Sequence, residues 1–112
     1  MFPIKTHKEL EGLDNALENQ NIGLARVHAR RAIGEFFKEY SYADIQLNMN
    51  AMQVLAILSI DTSLPIEIHL SIKRLQGGLR AKLNNEVYSE KPREDALTVL
   101  QYFVLLLGHK KS

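Results

Sequence analysis

The stretch "LARVHARRAIGEFFKEY" carries Arg26, Arg30 and Arg31 within six positions, with His28 among them. Guanidinium groups so close together suit the grip of phosphates, either on RNA or on a nucleotide, because each offers a planar fork of donors to oxyanions. The alternative is a solvated helix face. Arg31 has Glu35 at i+4, the spacing of a helical ion pair, and Arg26 and Arg30 flank an apolar stripe that their stems can cover. The solvated face is the preferred reading of all three. Arg26 and His28 project about 160° apart on a helix, so they cannot converge on one substrate from one copy of it.

The four histidines stand at positions 7, 28, 69 and 109. None has a second histidine at i+4, so the helical two-histidine metal pair is absent. His7 and His109 are expected on the solvated surface, His28 as a hydrogen-bonded boundary residue, and His69 on the flank of its helix without a catalytic task. Gly77-Gly78 follows a helical pattern rather than a strand, which removes the phosphate-loop reading. No serine–histidine–aspartate or paired-acid constellation can be assembled from the spacing. No catalytic residue, metal site or cofactor is therefore expected.

Composition narrows the field further. The chain has 112 residues, a net charge of +1 and no cysteine. One domain over 1–112 is expected, with no thiolate chemistry and no disulfide framework. The balanced charge gives no bulk electrostatic footprint for nucleic acid. The longest apolar run, Phe103–Leu107, is far short of a membrane span, and "MFPIKTHKEL" lacks the pattern of a signal peptide. A cytoplasmic protein without a membrane partner is expected.

The elements that must position these residues read as helices. The first is expected from about Lys8 to Glu18, with Leu10, Leu13 and Leu17 on one face and a Thr6–Glu9 capping box. The second, from about Asn21 to Tyr40, is the clearest. Ile22, Ala25, Ala29, Ala32, Ile33, Phe36 and Tyr40 lie within about a 100° arc. The alanines permit a close approach, and Ile33 and Phe36 add about 1.5–3 kcal/mol each on full burial. The third is expected from about Tyr42 to Ile60, with only Gln46, Asn50 and Gln53 on its polar side. The last runs from about Pro92 to Leu107, with Pro92 near its first position, Glu94 and Asp95 at the positive end of the dipole, and Gly108 as its stop.

"LPIEIHLSIKRL", residues 64–75, supports two periods. Leu64, Ile66, Ile68, Leu70 and Ile72 alternate as in a strand, yet Leu64, Ile68, Ile72, Leu75 and Leu79 also share one helical face. A strand would need a partner, and no other segment alternates far enough to supply one. A helix at about 64–76 is expected, with Ser63 as its cap and Pro65 in its first turn. Ile66 and Leu70 then fall opposite the main stripe. Leu105 and Leu106 are likewise off the stripe of the last helix. These four residues are the candidate interface, because apolar side chains on an outward face need a cover.

The string Gly23, Ala25, Arg26, Val27, Ala29, Arg30, Arg31, Ala32, Ile33, Gly34 resembles the second-helix pattern of small bacterial HEPN-like bundle proteins. "NMNAMQVLAIL", "LPIEIHLSIKRL" and "EDALTVLQYF" resemble the helices that follow, so the resemblance covers about residues 8–107. It implies an all-α, up-and-down bundle of four main helices plus the further helix at about 64–76. Catalytic members of that class place an arginine and a histidine four to six residues apart at a dimer cleft. No arginine of this chain has a histidine at that spacing on its C-terminal side, so ribonuclease activity is not implied. The expectation is a non-enzymatic helical interaction module that forms a homodimer or meets another protein. The second expectation is an RNA- or nucleotide-binding HEPN-like protein that uses Arg26, Arg30 and Arg31.

Overall fold

The structure is a computed structural model that describes residues 2–78, 81 and 83–108. Among the described residues the main elements are the helices α1 (Ile4–Glu18), α2 (Ile22–Glu39), α3 (Ala51–Ser59), α4 (Ile66–Gln76) and α5 (Pro92–Leu107). No strand occurs among the described residues. The chain is thus an all-α bundle, and the alternation in 64–75 belongs to a helix.

Helix α2 is the centre of the bundle. It packs against α1, α3 and α5 and touches α4, while α4 lies against α3 and α5. Its apolar arc explains this position. Ala25, Ala29, Ala32, Ile33, Phe36 and Tyr40 are all buried. Where side chains are small, backbones can approach closely: a Cβ on Gly34 would sit 3.3 Å from the Ala51 Cα at the start of α3. Phe36, Phe37, Tyr40, Tyr42, Tyr102 and Phe103 continue the core as a chain of stacked and edge-on rings, each geometry favourable to the aromatic quadrupole. Ile68, Ile72 and Leu75 bring α4 to this core, and Val99, Leu100 and Phe103 bring α5.

Three helix starts differ from the sequence expectation, each because a side chain found another partner. Helix α1 begins at Ile4 after Pro3, so Thr6 is inside the helix and not its cap. Its hydroxyl is buried and donates to the Ala32 carbonyl of α2 at 3.3 Å. Helix α3 begins at Ala51 and not at Tyr42. Asn50 is its N-cap, and a capping box closes it, with Asn50 and Gln53 exchanging bonds at 2.9 Å. Asn50 and Gln53, expected on one side of a longer helix, therefore mark its start, and Gln46 lies in the turns before it. Helix α4 begins at Ile66 with Pro65 preceding it. Ser63 does not cap it; its amide and hydroxyl both donate to Asp61.

Residues 41–50 cross as turns. Ala43 has a φ of 50°, a left-handed conformation that ends any continuing right-handed helix. Tyr42 donates from its hydroxyl to Asp61, which fastens this segment to the α3–α4 turn. Burial, then that hydrogen bond, raises the Tyr42 pKa, while bonds from Ser63 and Tyr42 lower that of Asp61. The Asp61 contribution to stability is present above the ordinary carboxylate range and is lost as pH falls through its depressed pKa. The last helix starts and stops as expected, with Pro92 at its start and Gly108 as its C-cap. His109 and Leu79 lie outside the described residues.

Candidate functional site

The three arginines of α2 take three different places. Arg26 is buried, with 6% of its surface exposed. Its Nε donates to the Ser89 carbonyl at 2.6 Å, and its guanidinium lies 5.0 Å from the centre of the Tyr88 ring, within the range of a cation–π contact. Arg30 donates through Nε to the Leu75 carbonyl at 2.6 Å and through a terminal nitrogen to the Gly77 carbonyl at 2.7 Å. Those carbonyls belong to the C-terminal end of α4, where the helix dipole is negative and the last oxygens lack helical partners. Burial, and secondarily the charge of Arg26, lowers the Arg30 pKa. Arg31 points away, and 57% of its side chain is exposed. Its partner is Glu9 of α1 at 3.0 Å and not Glu35, which pairs with Lys38.

Arg26 and Arg30 thus hold both ends of the chain between α4 and α5 by its backbone. The fit is tight. A Cβ on Gly77 would lie 2.2 Å from the Val87 carbonyl oxygen, and one on Gly78 would lie 3.2 Å from the Arg30 guanidinium. Backbone from 77 and from 87–88 can touch only because residue 77 has no side chain.

His28 is hydrogen-bonded, as a boundary residue should be. Its Nδ1 lies 2.8 Å from the Glu9 carboxylate, which also receives Arg31. Gly12 makes room for the ring, since a Cβ there would meet the His28 Cε1 at 2.6 Å. This cluster ties α1 to α2. Arg26 and His28 serve different partners on different sides of α2. No group of three histidines, aspartates or glutamates able to hold a metal is found among the described residues.

A second polar node was invisible in the sequence. Asp95, in the first turn of α5, is buried and accepts from Arg74 Nε at 3.1 Å to each oxygen and from a terminal Arg74 nitrogen at 2.8 Å. It also accepts from the hydroxyls of Ser89 at 2.7 Å and Ser71 at 3.2 Å. The hydrogen bond to Asp95 raises the Arg74 pKa. The sequence showed Asp95 as an acid suited to the helix dipole, and its partners lie 6 to 24 positions away. Ser89 joins this node to the arginines, since its carbonyl takes Arg26 and its hydroxyl takes Asp95.

The apolar candidates all stand in solvent. Ile66 is 67% exposed, and Leu70, Leu105 and Leu106 are also exposed. Val87, which the sequence did not single out, is 64% exposed and lines one groove with Leu70. The walls of that groove include His69, Leu70, Lys73, Gln76, Gly77 and Glu86. A different groove runs between the start of α1 and the end of α5, lined by Phe2, His7, Gln101, Val104 and Leu105. Both grooves lie over a closed core, and Arg26 and Arg30 of α2 are engaged with the chain's own backbone. No family model, no curated protein and no solved structure matches the chain.

Proposed function

We propose that this chain is a non-enzymatic helical interaction module, of the non-catalytic HEPN-like kind, that self-associates. One observation carries the proposal: large apolar side chains of α4 and α5 remain exposed although the core beneath them is complete. Uncovered apolar surface of this kind marks an association site in many soluble proteins. Cytoplasmic residence fits this role, and none of the described helices is long and apolar enough to cross a membrane.

Nucleic-acid or nucleotide binding has a narrower basis. Arg26 and Arg30 give their donors to backbone carbonyls, which leaves Arg31 as the guanidinium open to a phosphate. A single exposed cation beside a carboxylate makes a weak phosphate grip. Self-association is tested by multi-angle light scattering from about 1 to 200 μM, the range in which small interfaces form. A mass that rises from one chain to two supports the proposal. A mass of one chain throughout removes it. Salt-sensitive RNA binding that disappears in Arg31→Ala, with folding intact, would favour the nucleic-acid reading instead.

A further inference from the structure

The groove beside α4 carries the charges of an interface with itself. In a two-fold dimer the same patch appears on both sides, so a charged residue must find its opposite within that one patch. The groove beside α4 meets this condition. Lys73 and Glu86 both line it, over an apolar floor of Leu70 and Val87. Lys73 and Glu86 are exposed, and among the described residues neither has an ion-pair partner in its own protomer. Glu86 accepts only a long bond of 3.5 Å from Asn84. The groove between α1 and α5 has no such pair, since its lining offers His7 and Gln101 beside apolar groups.

The α4 groove is also held in shape. Arg30 fixes the carbonyls of Leu75 and Gly77, and Arg26 fixes that of Ser89. Gly77 lets the backbone of 87–88 close against the end of α4. The side chains that face outward from this scaffold lose little freedom in scaffold motion on binding, which lowers the cost of association.

Resting on the self-association reading above, we propose that two copies pair through this groove about a two-fold axis. Lys73 of each protomer meets Glu86 of the other, across a shared apolar seam of Ile66, Leu70 and Val87. A face built on one 11-residue helix, about 16 Å long, belongs at the small end of specific interfaces, so the dimer forms in the micromolar range.

Charge reversal tests the pairing by sedimentation velocity, with circular dichroism to check folding. Lys73→Glu and Glu86→Lys are each expected to weaken dimerisation at least tenfold by placing like charges together. The double variant is expected to restore it to within about threefold of wild type, a reversal that general loss of stability does not produce. A second measurement needs no variant. Isotope-labelled and unlabelled wild-type chains are mixed and treated with a carbodiimide, which joins amines to carboxylates in contact. A Lys73–Glu86 crosslink between labelled and unlabelled chains is expected. A wild-type chain that stays monomeric overturns both this pairing and the reading it rests on. A wild-type dimer that ignores both reversals, or yields no mixed-isotope crosslink, overturns the pairing alone and leaves self-association to another face.

Discussion

At Asp95 one carboxylate serves three elements. It accepts from Arg74 and Ser71 of α4 and from Ser89 of the segment that enters α5. Replacement by alanine would leave the Ser71 and Ser89 hydroxyls buried and short of an acceptor, and would leave Arg74 without its counter-charge. Asp95→Ala is expected to cost about 3 kcal/mol in urea unfolding. Asp14→Ala removes a pair of comparable length with Arg93, but about half of each of those side chains is exposed, and its cost is expected below about 1 kcal/mol. Equal costs would show that the Asp95 network does not share its energy as its burial suggests. The contrast also explains why the sequence hid this site. Both aspartates look like ordinary helix-surface acids, and burial with partners 6 to 24 residues away is decided by how α4 and α5 dock. Arg26 was hidden in the same way. Its acceptor is 63 residues along the chain, so local pattern showed only an arginine beside an apolar stripe.

At the scale of elements, the period of the apolar residues was the legible signal. It placed α2 and α5 to within a residue or so and identified Ile68, Ile72 and Leu75 as the inner face of α4. It failed where apolar residues kept a helical rhythm outside a helix. Ile45, Leu47 and Met49 continue the pattern of α3 backwards, yet Asn50 closes the helix start and Ala43 turns left-handed. The junction between α4 and the segment before α5 depends on a feature that period cannot describe. Gly77 is there because Val87 and Tyr88 occupy the space of a side chain. The obstructing atoms are backbone, so Gly77→Ala must displace 87–88 and strain the bonds that Arg30 makes to Leu75 and Gly77. A loss of about 1–3 kcal/mol in chemical denaturation is expected. Gly23→Ala, where an added Cβ has only an ordinary contact at 3.8 Å, is expected to be neutral or slightly stabilising through helix propensity. If Gly77→Ala behaves like Gly23→Ala, the close approach at the end of α4 is not what holds that junction.

At the scale of the whole molecule, the exposed apolar residues do not reflect an unfinished core. The radius of gyration is 13.2 Å, matching the value of about 13 Å for a compact chain of this length. The large side chains of α2, α4 and α5 that face inward are fully buried. Ile66, Leu70, Val87 and Leu105 are therefore surplus to folding one copy, and mass action offers a test that does not depend on molecular mass. A dimer that unfolds to separate chains is stabilised by concentration. Raising the protein from about 10 to 300 μM should lift the Tm by about 4 °C in scanning calorimetry. Leu70→Glu puts an unpaired charge into the α4 seam and should flatten that dependence while leaving the low-concentration Tm nearly unchanged, because Leu70 is already exposed in the monomer. Leu105→Glu should leave the dependence intact, since that residue lies in the other groove. The reverse pattern, flat in Leu105→Glu and retained in Leu70→Glu, would move the interface to the α1–α5 groove. A wild-type Tm that does not respond to concentration would leave these side chains without the partner that their exposure implies.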